Sequence, residues 1–304
     1  MRNAFRQALI ARAACREFVF LTGDLGFQAL EPLREVLGPR FINAGVAEQN
    51  MVSVAAGLAR QGLRPWVYSI APFLYARPFE QIRNDVCLHV LPVVLVGNGG
   101  GYGYGVMGST HHALEDYGVL LTLAGLSVHI PAFDADIPAA IDTLFTTPHP
   151  AYLRLGLSEQ PSAWSPAPYA VWRKLFAGAA ATIVAVGPLA GAFWKPCADL
   201  APDRRANLWC VSQLPFGELP AELLHDVRHS NVLCVAEEHV AHGGAGQLLV
   251  TALVACGCAP KRLIHRAALG YPSGRYGSQK FHRRECRLDP ESVLADLIGG
   301  DGAP

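Results

Sequence analysis

The sequence predicts an α/β protein: a mainly parallel sheet flanked by helices, followed by a smaller α/β unit. Three observations carry this. Short apolar runs alternate with helical patterns between residues 17 and 156, as parallel strands joined by crossover helices do. The alternation stops in "LSEQPSAWSPAPYA", with three prolines and three serines, and then resumes in a shorter series. Of the 304 residues, 51% are hydrophobic and only 16% charged, enough apolar material for two cores. The reading divides the chain into residues 1–160, a linker over 161–170, and 171–304.

The elements follow in order. "EFVFLTGD" reads as a strand and "QALEPLREVLG" as a helix. "RFINAG" is a strand, and "VAEQNMVSVAAGLARQG" a helix closed by Gly62. "RPWVYSIA" is a strand, "RPFEQIRNDVCLH" a helix, and "LPVVLVGNGG" a strand with a glycine-rich exit. "HALEDYGVLLTLAG" and "DIPAAIDTLFTT" read as helices, with "LSVHIPA" and "PAYLRLG" as strands. In the second unit "ATIVAVGP", "RANLWCVSQLPF" and "SNVLCVAEEH" are strand-like; "AELLHDVRH", "GGAGQLLVTALVACG" and "PESVLADLIG" are helical. Residues 175–194 carry no charge over a membrane-spanning length. Gly187-Pro188 interrupts them, and the β-branched "ATIVAVG" favours strand, turn and helix start over a span.

Composition narrows the function. Lys+Arg and Asp+Glu both number 25, so no net charge draws the chain to a nucleic acid or an anionic membrane. The eight cysteines include no C-x-x-C pair. They read as reduced thiols of a cytoplasmic protein, not as a zinc site or a disulfide framework. The N-terminus lacks the clean apolar run of a signal peptide.

Open α/β sheets bind ligands at the carboxyl ends of their strands. Those exits hold "TGD", "NAGVAEQ", "YSIAPF", "GNGGGYGYGVMGSTHH" and "RLG", and so gather Asp24, Glu48, Phe73, His111, His112 and Arg154 on one rim. Each has an ordinary alternative. Asp24 suits a turn cap, Glu48 a helix first turn, Phe73 the core, and the histidines a solvated loop. "GYGYG" suits a flexible lid but lacks the phosphate-loop lysine.

The residues also carry a resemblance. "FINAGVAEQNMVSVAAGLARQG" resembles the pyrimidine-binding domain of thiamine-diphosphate enzymes of the transketolase superfamily, and "PFLYARPFEQIRNDV" the aromatic segment that follows it. "VMGSTHHALEDYGVLLTLAGLSVHIPAFDADI" is similar to the histidine segment of transketolases and deoxyxylulose-phosphate synthases, and "ATIVAVGP" and "VAEEHVAHGGAGQ" to their C-terminal domain. The match spans nearly the whole chain but only the second half of a full-length transketolase.

The resemblance implies a pyrimidine-binding domain followed by a transketolase C-terminal-like domain, and it implies roles. Glu48 corresponds to the acid that bonds N1′ of the cofactor's aminopyrimidine. Phe73 matches the aromatic that stacks on that ring, Arg77 falls to the cofactor with it, and Ile70 stands where a second aromatic is common. Thr22 and Asp24 match the substrate loop, and His111 the catalytic, sugar-contacting histidine. His112 is shared with the synthases, and Arg154 matches an arginine that binds a substrate phosphate. The G-D-G…N motif that holds the diphosphate through Mg²⁺ is missing: "TGD" and the terminal "DGAP" lack the spaced asparagine. The implied protein is the smaller subunit of a split transketolase-like enzyme. It works with thiamine diphosphate and with Mg²⁺ held by an N-terminal-type partner subunit, in a heterotetramer, and transfers a two-carbon ketol unit between sugar-type substrates. Decarboxylative carboligation of a 2-oxo acid is the alternative reaction, and a non-catalytic partner subunit the alternative outside catalysis.

Overall fold

The computed structural model describes residues 1–26, 29–161 and 164–298. Its first half runs α1 (Arg2–Ala11), β1 (Phe18–Thr22), α2 (Glu31–Leu37), β2 (Phe41–Asn43), α3 (Glu48–Arg60), β3 (Arg64–Ile70) and α4 (Ala71–Tyr75). Then come α5 (Phe79–Gln81), which widens into a π turn over Ile82–Cys87, β4 (Val94–Asn98), α6 (Asp116–Leu120), β5 (Ser127–His129), α7 (Ile137–Thr146) and β6 (Ala151–Leu155). The second half contains β7 (Trp172–Phe176), β8 (Thr182–Val186), α8 (Leu189–Ala198), β9 (Asn207–Val211), β10 (Gln213–Leu214) and α9 (Ala221–Ser230). It ends with β11 (Val232–Ala236), α10 (Ala245–Ala255), β12 (Arg262–Arg266), α11 (Gln279–Glu285) and α12 (Pro290–Ile298).

Two sheets organise these elements. The seven-stranded sheet has the order β10-β5-β6-β4-β3-β1-β2 and is parallel except for β10. The five-stranded sheet has the order β12-β11-β8-β9-β7 and is parallel except for β7. In β1, side chains alternate between two cores, as the two-residue period of a strand requires. Phe18 and Phe20 join Phe5, Trp66 and Ile141 on one face, while Val19 and Leu21 join Met51, Val67 and Leu95 on the other. Helix α3 covers the second face with Met51, Val52, Ala55, Ala56 and Ala59, a stripe of the spacing an amphipathic helix gives. Gly62, at φ +85°, ends that helix region in a conformation that glycine adopts at no steric cost.

Several expectations are redrawn. The N-terminal residues, assigned no element from sequence, form α1, which buries Phe5 and Leu9. The helix expected over 112–125 shortens to α6, because the Ala113 backbone pairs with Gly100 and Gly101 instead. The uncharged 175–194 stretch resolves into the end of β7, all of β8 and the start of α8, and no described helix is long and apolar enough to cross a membrane. All eight cysteines are free, and six of them are buried. β10, from the second half of the chain, pairs with β5 of the first sheet through Gln213 with His129 and Leu214 with Val128. Gln28, expected to open a helix, Ser162 and Ala163 of the expected linker, and the terminal "DGAP" lie outside the described residues.

Candidate active site

The ends of β2, β3 and β4 assemble a row of side chains. After β2 the backbone turns at Gly45, φ +72°. Asn43 braces that turn: its Oδ1 accepts from the Gly45 N–H at 2.9 Å, and its Nδ2 donates to Asp24 at 3.1 Å. The turn delivers Glu48 as the first residue of α3, where the free N–H groups of a helix start favour negative charge. Glu48 is only 6% exposed. A buried carboxylate needs a partner, and Arg77 supplies one, donating from Nη1 to Oε1 at 2.7 Å. No described residue donates to Oε2.

Arg77 lies in the short turn between α4 and α5. Its guanidinium carbon stands 3.9 Å from the centre of the Phe73 ring, a close cation–ring contact. Phe73 comes from α4, which starts directly at the end of β3. The His111 ring is 5.2 Å from Phe73, inclined at 66°, and 5.7 Å from Tyr104. The Tyr104 hydroxyl accepts from Asn98 Nδ2 at 2.7 Å, and burial pushes that phenol's pKa up. His111 Nδ1 shares a hydrogen bond with Thr110 at 2.9 Å. The row therefore reads Glu48, Arg77, Phe73, His111, Tyr104, Asn98. Sequence reasoning named four of its members. It missed Tyr104 and Asn98, whose only signal was the glycine-rich exit of β4.

Thr22 and Asp24 lie together beside this row. They line a cavity of about 230 Å³ with Leu25, Arg34, Phe41 and Asn43. Thr22 is 2% exposed, and its hydroxyl has no hydrogen-bond partner among the described residues.

Two expected substrate residues face elsewhere. Arg154 is 4% exposed. Its Nε donates to Asp116 at 2.7 Å, and its Nη2 donates to the carbonyls of Ala113 and Glu238 at 2.8 and 2.9 Å. Burial opposes its charge, but the Asp116 carboxylate overcomes that and holds the pKa above the ordinary arginine value. Arg154, expected at a substrate phosphate, here points inward and ties the two halves of the chain together. His112 is likewise 3% exposed. Its Nε2 bonds the Gly105 carbonyl at 2.8 Å and its Nδ1 bonds the Tyr271 hydroxyl at 2.9 Å. Both nitrogens are engaged, so His112, expected at the substrate, here pins the glycine loop, and burial holds its pKa down.

The "GYGYG" segment is pinned too, contrary to a flexible lid. Tyr102 is fully buried, stacks on His282 at 4.8 Å and donates to the Gly270 carbonyl at 2.8 Å. At Gly101, φ +65°, a Cβ would come within 2.3 Å of Glu238 Oε2, so only glycine lets the loop approach this closely.

Known proteins resemble this chain in sequence and fold. The family model described as "Transketolase, pyrimidine binding domain" matches residues 1–161. One of the subunits of an apulose-4-phosphate transketolase from Actinobacillus succinogenes is 29% identical over 275 residues, 87% of this chain and 86% of that protein. A 1-deoxy-D-xylulose-5-phosphate synthase from Nitratidesulfovibrio vulgaris is 31% identical over 281 residues, 88% of this chain but 43% of the synthase; the chain thus spans less than half of that enzyme. Among solved structures, a split-gene transketolase described as an inactive β4 tetramer superposes with a TM-score of 0.81 at 26% identity, covering 98% of this chain and 96% of that one. The transketolase of Leishmania mexicana shares the fold, with a TM-score of 0.76 at 18% identity over 46% of its length. With a family model that matches more than half of the residues here and a split-gene relative matched over nearly the full length of both, this chain belongs to the transketolase family.

Proposed function

We propose that the chain is the smaller subunit of a split transketolase-like enzyme that transfers a two-carbon ketol unit between sugar-type substrates. It would work in the cytoplasm, where eight unpaired thiols stay reduced. The observation that carries the reading is the buried Glu48 joined to the Phe73 ring through the Arg77 guanidinium, with Oε2 unclaimed among the described residues. That pairing of a desolvated carboxylate and an aromatic face suits a flat heterocycle that hydrogen-bonds at its edge, such as the aminopyrimidine of thiamine diphosphate. When bound, the cofactor supplies the carbon nucleophile and electron sink for breaking and remaking a bond beside a ketone.

This chain's residues would hold that ring and manage protons around it. Glu48 would bond N1′ and hold a proton there, Phe73 would stack on the ring, and Arg77 lies within reach of both. His111, at the Phe73 edge, would exchange a proton with a substrate hydroxyl. Thr22 and Asp24 would border the substrate. Mg²⁺ and the diphosphate would be held by a partner subunit of the N-terminal transketolase type, in a heterotetramer. The relatives named for apulose-4-phosphate and the family's sugar chemistry support a phosphorylated sugar as substrate.

The synthase relatives favour one other reading, decarboxylative carboligation of a 2-oxo acid. Purification of the chain with its partner, followed by assay with thiamine diphosphate and Mg²⁺, tests both. Ketol transfer from a ketose phosphate to an aldose without CO₂ release is the expected result. Cofactor-dependent CO₂ release from pyruvate would transfer the conclusion to the second reading. Cofactor binding without turnover of either substrate class would make the chain a non-catalytic partner.

A further inference from the structure

We infer that Arg77 keeps the place of the cofactor's aminopyrimidine in the unloaded chain and must vacate it for the ring to bind. This rests on the cofactor site proposed above and goes beyond it, because it turns a binding residue into a placeholder. Guanidinium and aminopyrimidine share a shape: both are flat, conjugated groups with N–H donors in the plane. In this chain the guanidinium makes both contacts expected of the ring. It lies against Phe73 at 3.9 Å and donates to Glu48 Oε1 at 2.7 Å.

The surroundings suit an exchange. Glu48 is 6% exposed and its side chain has no other described donor, so leaving it bare would be costly. The Arg77 side chain is 44% exposed, and among the described residues Glu48 is its one hydrogen-bond partner. It is carried by a turn and not by the body of a helix. Its release to solvent therefore costs the ion pair and the ring contact alone. The incoming ring replaces both: once N1′ takes up a proton, its edge gives Glu48 a donor, and its face covers Phe73. The buried carboxylate thus has a partner both before loading and after it. Arg77 also keeps the site charge-compensated before loading, and a ligand with only one of the two contacts would displace it poorly.

The test uses the full chain and the cofactor's ring alone, 4-amino-5-hydroxymethyl-2-methylpyrimidine, titrated by NMR. Wild type, Arg77→Ala, Arg77→Gln and Glu48→Ala are compared, each with a melting curve. A half-exposed ion pair and a cation–ring contact together correspond to about tenfold in affinity. Both Arg77 variants should therefore bind the ring up to about tenfold more tightly than wild type. In wild type the Arg77 Nε–H resonance should move to its solvent-exposed position as the ring binds. Equal or weaker binding by both Arg77 variants would overturn the placeholder while leaving the cofactor site standing. Wild-type affinity in Glu48→Ala, or no binding by any chain, would remove the cofactor site and the placeholder with it.

Discussion

Glu48 and Arg154 are both buried charges at strand ends, and their different roles follow from their partners. Glu48 has one half-exposed partner and a second oxygen that no described residue claims. Arg154 has a buried carboxylate and two carbonyls. Glu48→Gln keeps the shape and the helix start, so the melting temperature should stay close to wild type. Turnover should fall by ~10²–10⁴, the range for loss of one acid–base group. The measurement is deuterium exchange at the cofactor's thiazolium C2 in the assembled enzyme, expected to slow to a similar degree. Arg154→Ala should behave in the opposite way. It strands Asp116, whose side chain is fully buried, and should cost ~3–5 kcal/mol in denaturant unfolding, the range for breaking a buried pair. Any residual activity should fall equally on phosphorylated and dephosphorylated substrates. Residue type and strand-end position were legible in the sequence for both. The inward turn of Arg154 was not, because it depends on Asp116 and Glu238, which are 38 and 84 residues away in the chain.

Elements were legible where one local pattern sufficed. β1, β4, β8 and β11 are short apolar runs, buried along nearly their whole length, and a continuous apolar run bounded by turn signals marks such strands. β7, "WRKLF", and β12, "RLIHR", lie at sheet edges, are only partly buried and carry charges, so their apolar signal is diluted. The two residues of β10 lie at the end of the run "RANLWCVSQLPF", which reads as one strand; their separation from β9 and pairing with β5 exist only in the folded molecule. α1 went unassigned because Arg2, Asn3, Arg6 and Gln7 break up its apolar residues, and its value lies in what it covers. Phe5 is fully buried, stacked on Tyr68 at 5.9 Å and close to Phe20 and Trp66. Phe5→Ala should cost ~3–5 kcal/mol, as expected for deletion of a large buried aromatic. Chemical denaturation would read this as a lower midpoint with an unchanged slope. A loss under ~1 kcal/mol would show that α1 is a dispensable cover and not part of the core.

At the scale of the whole molecule, the two halves are joined by polar contacts as well as apolar ones. Arg154 reaches the Glu238 carbonyl, Tyr117 donates to Glu237, and the Tyr102 N–H approaches the Glu238 side chain, which Arg283 of the same half holds. β10 extends the first sheet, and at that seam sits His129, 2% exposed and opposite Gln213. Its neighbours are Ser127, the Tyr169 hydroxyl and His149. Burial, with a smaller repulsion from His149, lowers its pKa to about 4. The sign of the consequence is fixed. Between about pH 6.5, the value in an unfolded chain, and pH 4, the unfolded chain binds a proton that the folded chain refuses. Stability from this group is therefore fully present above about pH 6.5 and declines as pH falls to 4. A shift of that size corresponds to roughly 3 kcal/mol. His112 and His282, also held below the ordinary histidine value by burial, add to the same slope. The His129→Gln variant isolates the seam. In unfolding experiments at a series of pH values, its decline between about pH 6.5 and 4 should be shallower than wild type by about that amount, while the carboxylate-driven loss at lower pH should persist. An unchanged slope would mean that His129 accepts its proton in place and that the seam tolerates a charge.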